Sequence, residues 1–262
     1  MAISFFPFIQ PDVCARTPIR ITARNILGQQ TMTTRKKYNV FHSITYVYDM
    51  LSARQHRIVN NHFRDMDGGV TSFYVIDWND PRPISAISGL HVTINNTQGF
   101  SVNSGDGGNN IVLWQNSGDY GNDSTIAGLV FTDKTKSWDT NEWQNHYIMD
   151  SVGTEYSASV NTSNTFTITS GTPVSGAYDI YQYVHTTIAS IDTDLRRLTL
   201  STSPILSYSR PWENFVLPVY RCHYAANDLG LEPTGEFNRE SNDNYGGYWS
   251  GQIEFIQKGT GT

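Results

Sequence analysis

The sequence predicts a mainly β protein of the α+β class: a sandwich- or barrel-like outer β domain with one amphipathic helix, and a small β module inserted into it. Three observations predict this. Short runs rich in β-branched and aromatic residues recur along the chain. Clusters of Gly, Asn, Asp and Pro punctuate them at close spacing. Only one stretch, LSARQHRIVNNHFRDM, carries a helical period. With 262 residues, 38% hydrophobic and 13% aromatic, the chain can fill the core of one large or two smaller domains.

The first element is FFPFIQPDV, which places Phe5, Phe6, Phe8 and Ile9 near the start. No Lys or Arg precedes these aromatics, and Pro7 and Pro11 interrupt the run, so no secretory signal is expected. The prolines keep the segment extended. Its apolar surface then packs either on its own domain or on another subunit. KYNVFHSITYVY follows as a strand, with Val40, Ile44, Tyr46 and Tyr48 on one face. The helix is expected over 51–66. Ser52 and Gln55 stand in capping-box spacing, Leu51, Ile58, Val59, Phe63 and Met66 form the apolar face, and Gly68–Gly69 ends it. TSFYVID is the next strand, closed by the prolines of WNDPRP.

Composition then shifts. NNTQGFSVNSGDGGNN reads as a long exposed loop, and the segment 95–125 as a whole as an approach loop. LVFTD, HYIMD, VGTEYSA, NTFTITS and AYDIYQY follow as short strands between DTNE, NTSN and GTPVSG turns. LRRLTLS, FVLPVYRCHY and YWSGQIEFI complete the set, the last with Trp249, Ile253 and Phe255 on one face. The economical division is an outer domain over 1–90 and 186–262, with residues 94–185 as the insert.

No catalytic signature accompanies these elements. G-x-x-x-x-G-K-[ST], G-x-S-x-G, H-E-x-x-H and G-x-G-x-x-G after a strand are all missing. His56 and His62 lie six apart on the helix and point in different directions, so they cannot clamp one metal. Cys14 and Cys222 are too few for a disulfide scaffold or a thiolate zinc site. No catalytic residue, cofactor or metal is therefore expected. A calcium ion held by the Asp/Asn-rich stretch 103–123 stays open, as does a carboxylate pair of the glycosidase kind, which leaves no spacing in sequence. A net charge of −6 argues against nucleic-acid binding, and no apolar run is long enough for a membrane span.

Two groups of residues suggest contacts instead. Trp114 and Tyr120, in the approach loop, are candidates for stacking on sugar rings at a host surface. Trp138 and Trp143 are better accounted for as core of the small module. Arg57 and Arg64, on the outward helix face and extended in sequence by Arg35, Lys36 and Lys37, are either a solvated stripe or an edge to a neighbouring subunit.

The strand ending in Tyr48, the helix LSARQHRIVNNHFRDMDGG and then SFYVIDWNDP together resemble the N-terminal core of distal tail and minor tail proteins of long-tailed bacteriophages. The matching positions are Gly68, Gly69, Phe73, Tyr74, Asp77, Asp80 and Pro81. The closing stretch from Val216 to Ile256 resembles the family's last hairpin strands, and residues 131–169 a small β module found in many phage and bacterial surface proteins. The resemblance implies a non-enzymatic virion protein at the tail tip, assembled in the host cytoplasm. It also implies a homo-oligomeric ring, hexameric in most relatives, that joins the tail tube to the tip beside hub and tape-measure proteins. On that reading Phe5, Phe6, Phe8, Arg57 and Arg64 face a neighbouring subunit. The alternative is a glycan- or receptor-binding module acting through the insert.

Overall fold

A computed structural model describes residues 4–19, 23–27, 30–34, 41–67, 70–102, 109–204, 214–226, 228–234 and 247–257. Of the residues singled out above, Arg35, Lys36, Lys37, Val40, Gly68 and Gly69 lie outside these, as does the stretch 103–108. The fold is mainly β with one helix, as its sequence pattern predicts.

The strands before the helix are β1 (Val13–Ile19), β2 (Ala23–Leu27), β3 (Gln30–Thr34) and β4 (Phe41–Ser52). Helix α1 (Ala53–Asp65) follows directly on β4. Ser52 caps it: its Oγ accepts from the Gln55 N–H at 3.2 Å, and Gln55 Oε1 accepts from the Ser52 N–H at 3.0 Å. Both halves of the expected capping box are present. Replacing Ser52 with Ala is expected to cost about 1 kcal/mol in chemical denaturation, because the Gln55 N–H loses its acceptor. Ile58 and Val59 are buried as the period required, while Arg57 and Arg64 are exposed. Asp67, with φ 57°, takes the left-handed position after the C-cap.

Beyond the helix come β5 (Phe73–Ile76), β6 (Arg82–Ser88), β7 (His91–Ile94), β8 (Asn110–Ala127), β9 (Val130–Thr132), β10 (Tyr147–Met149), β11 (Glu155–Asn161) and β12 (Thr165–Ile168). The chain ends with β13 (Gly176–Asp192), β14 (Arg197–Leu200), β15 (Asn214–Tyr224), β16 (Leu231–Thr234) and β17 (Tyr248–Gln257). Pairing closes two rings of six strands. The first runs β8–β15–β6–β7–β14–β13 and back to β8. Its interior is aliphatic: Ile84, Val92, Ile94, Ile111, Leu113, Leu198 and Val216 are buried together. The second runs β8–β9–β12–β11–β10–β13. Its interior is aromatic, with Phe131, Trp138, Trp143, Phe166 and Tyr178 around Ile148 and Ile180. Trp138 and Trp143 are 8% and 7% exposed, so they fill this core.

β8 and β13 belong to both rings. β8 pairs with β15 through Asn214↔Gln115 to Pro218↔Ile111, and farther along with β9. The expected insert 94–185 thus supplies β8 to both rings, and its boundary at 185 falls inside β13. The expected approach loop is also shorter than its composition suggests. From Asn110 onward it is strand, and this includes most of the stretch considered for calcium.

The third layer is a sheet of β1, β4, β17, β15 and β5, with β16 at the far side of β17. Helix α1 packs on it over a core of Ile44, Tyr46, Tyr48, Phe73, Tyr224, Ile253 and Phe255. Strands β2 and β3 form a hairpin whose ladder includes no other described strand.

Candidate functional site: two clefts divided by the N-terminal arm

The arm is held as an added parallel strand. The Tyr74 N–H donates to the Ser4 carbonyl and the Phe6 N–H to the Tyr74 carbonyl, both at 2.8 Å. β5 pairs on its other side with β15, so the arm covers β5's remaining edge within the same chain. Phe5 and Phe6 then point to opposite sides, and a tight turn at Phe8, where the Ile9 N–H donates to the Pro7 carbonyl at 2.7 Å, brings the Phe8 ring back to the side of Phe5, 5.4 Å away. Phe6, 3% exposed, enters the sheet–helix core against Tyr46, Phe255 and His62. Phe6 is thus consumed in its own chain, where a subunit boundary was one of two expectations.

Phe5 and Phe8 are half-buried and lie in an aromatic cluster on the outer surface of the rings. Phe8 sits 4.2 Å from Tyr183 and stacks on Trp114 at 5.6 Å. Phe5 lies 5.2 Å from Tyr74 and 5.0 Å from His185, centroid to centroid. Phe8, Tyr181 and Met149 border clefts on both sides, so they form the wall between them.

One cleft, of about 450 Å³, holds both surface aromatics expected from the sequence. Trp114 is half-buried, its ring already covered by Phe8 and Tyr181. Tyr120 is 67% exposed, with the Lys136 ammonium 5.5 Å from its ring centre. Between them lie Gln115, Asp119 and Asp179. Asp119 accepts from Lys136 Nζ at 2.8 Å and from Trp138 Nε1 at 2.7 Å. Burial alone would raise its pKa, but these hydrogen bonds outweigh it and hold the carboxyl below its usual range. Asp179 is tied to Arg54 at 2.6 Å. Arg54 itself is buried, and its other nitrogen donates to the carbonyls of Met149 (3.1 Å) and Asp150 (2.8 Å). It locks helix α1 to the second ring.

The other cleft, of about 570 Å³, lies between the arm, the last turn of α1 and the β10–β11 turn. Asp65 and Glu155 are its acids, and Glu155 accepts from the Tyr181 hydroxyl at 2.7 Å and the Tyr183 hydroxyl at 3.0 Å. Burial raises the Glu155 pKa, and the two hydroxyls only partly offset it, so the carboxyl stands above its ordinary value. Burial first, and the facing carboxylate second, push both tyrosine hydroxyls upward, so both remain protonated donors. His62 borders the same cleft, its pKa lowered by burial to about 4, which leaves it neutral at pH 7.

Among the described residues no three His, Cys, Asp or Glu side chains converge as metal ligands. The Cys14 thiol is pushed up to about 12, chiefly by burial and then by Asp77, so it is no nucleophile at neutral pH. Arg57 is exposed and donates to the Ser151 carbonyl at 2.9 Å, and Arg64 is exposed on the same helix. Neither borders the two clefts. Sequence reasoning missed Arg54 and Glu155. Each is a lone charge with no motif around it, and only the meeting of α1, β11 and β13 gives it a role. No protein-family model matches the chain, and no curated protein matches it, so what these clefts can do rests on their own residues.

Proposed function

We propose that the protein is a structural subunit of a homo-oligomeric ring at the distal end of a phage tail, joining the tail tube to the tip. The observation that carries this reading is hairpin β2–β3. It forms a two-stranded ladder that joins no other described strand of its own chain. Isolated two-stranded hairpins are marginal in water and gain stability by docking on another surface. A ring supplies such a surface to each copy from the next. The resemblance over the helix and the SFYVIDWNDP strand agrees with this assignment, and the acidic balance is compatible with it. On this reading the neighbours in the virion are tube, hub and tape-measure proteins, and the subunit number is six.

The test is particle mass. The full chain is expected to form a closed oligomer by native mass spectrometry at micromolar concentration. Replacing residues 20–40 with a short Gly/Ser turn is expected to give a folded monomer. A full chain that stays monomeric across that concentration range overturns the proposal.

A second reading has its own observation. The cleft that combines Tyr120 and Trp114 with Gln115 and Asp119 has the mixture of ring faces and polar groups that sugar recognition uses. It makes the subunit a contact to host-surface glycan, and a glycan array with a Tyr120→Ala control tests it.

A further inference from the structure

Glu155 is an uncompensated charge in an aromatic enclosure. The cleft it borders is walled by Phe5, Phe8, Tyr181 and Tyr183, and no Lys or Arg is among its lining residues. Glu155 is half-buried, and a carboxylate drawn partly out of water ordinarily meets a cation, because desolvation of a lone charge is costly. Among the described residues its hydrogen-bond partners are two tyrosine hydroxyls. Each occupies one acceptor position on a different carboxylate oxygen, which leaves further lone pairs on both. The opposite wall is the C-terminal turn of α1, through Asn61, His62 and Asp65. That end of a helix carries the negative pole of its dipole and favours positive charge. Acid, helix end and ring faces therefore agree in sign.

We propose that this cleft binds a primary alkylammonium group. Its N–H donors meet Glu155, and its alkyl chain lies against the rings of Phe5, Phe8, Tyr181 and Tyr183. The volume of about 570 Å³ suits a small organic cation. Aromatic faces beside the charge add cation–π attraction. A primary ammonium is preferred over a quaternary one because only the former donates to the free lone pairs. The groups facing Glu155 are Tyr147, Tyr181 and Tyr183 from the rings, and His62 and Asp65 border the cleft from α1. Asp65, the other carboxyl of the cleft, is exposed on α1, so with the tyrosines protonated and His62 neutral an ammonium held among the rings answers to the ionisation of Glu155. Because its pKa is raised, binding is lost on acidification at a higher pH than an ordinary glutamate would give.

The experiment titrates butylammonium chloride, tetramethylammonium chloride and 1-butanol into the full chain, following chemical shifts or intrinsic fluorescence. Butylammonium is expected to bind saturably, and the other two at least tenfold more weakly. Glu155→Gln is expected to weaken butylammonium at least tenfold while its melting temperature at pH 7 stays level or rises. The sign follows from the raised pKa. The fold favours the protonated form, so ionisation above that pKa costs stability, and a neutral isostere removes the cost. Particle mass at saturating butylammonium separates two sources of the group. An unchanged mass identifies a free amine, and a fall in mass identifies a lysine side chain from a second copy. Equal responses to butylammonium and 1-butanol, no saturable response, or undiminished binding by Glu155→Gln each overturn the proposal.

Discussion

Replacing Phe6 with Ala is expected to lower stability by about 3–5 kcal/mol, the range for emptying a fully packed aromatic site. The ring is 3% exposed and lies 5.0 Å from Phe255, 5.5 Å from Tyr46 and 5.6 Å from His62, centroid to centroid. Its neighbours belong to α1, β4 and β17, which are fixed by their own pairings and cannot collapse into the space. Urea denaturation should show a lower midpoint with little change in slope, the sign of lost stability in an otherwise intact fold. Phe5→Ala should cost less, because that ring is only half-buried. If Phe6→Ala instead leaves the midpoint in place and changes only particle mass, the arm does not pack in its own chain as described.

Removal of Arg54 should rank next, at about 2–4 kcal/mol for Arg54→Ala. The guanidinium spans three acceptors: Asp179 at 2.6 Å and the carbonyls of Met149 and Asp150 at 3.1 and 2.8 Å. Most of the cost arises at the carbonyls, where an unsatisfied buried acceptor is worth about 1–3 kcal/mol. The ion pair adds less than a buried one would, since the Asp179 side chain is 36% exposed and water can replace its partner. Arg54→Lys should recover little, because one ammonium lacks the planar fork that reaches carboxylate and carbonyls together. A double-mutant cycle with Asp179→Ala separates the two contributions. A small coupling beside a large single-mutant loss is the expected result.

Where sequence period and burial coincide, the fold was legible. Ile253 and Phe255 of β17 are buried while Tyr248, Gln252 and Glu254 are exposed, as alternation requires. Helix α1 announced itself through its cap and its Ile58–Val59 face. β8 did not, and its glycines explain why. A Cβ on Gly118 would stand 2.2 Å from the Ile180 carbonyl oxygen, and one on Gly121 2.4 Å from the Tyr178 ring. Close approach to β13 demands glycine there, and in composition that demand looks like a loop. The arm was legible as apolar surface needing cover, but nothing local says whose surface covers it. Of the clefts, Trp114 and Tyr120 were visible as large aromatics in a polar stretch. Glu155 was not, since a single acid within VGTEYSA is indistinguishable from a solvated one until Tyr181 and Tyr183 are brought beside it.

The sharing of β8 and β13 between the two rings sets an order of events during synthesis. The second ring needs nothing beyond the first residues of β13, for its closing pairs are Tyr147↔Tyr181 and Tyr178↔Gly121. It can close while the rest of the chain is still being made. The first ring must wait for β15, whose Asn214–Pro218 segment returns to β8 across about a hundred residues. The sheet under the helix waits longer still, because β17 joins β4 to β15 and brings Phe255. Phe6 has its full set of partners only then. The apolar arm, made before every strand that covers it, is the last segment to be covered, and during that interval it is a part of the nascent chain in need of protection from aggregation.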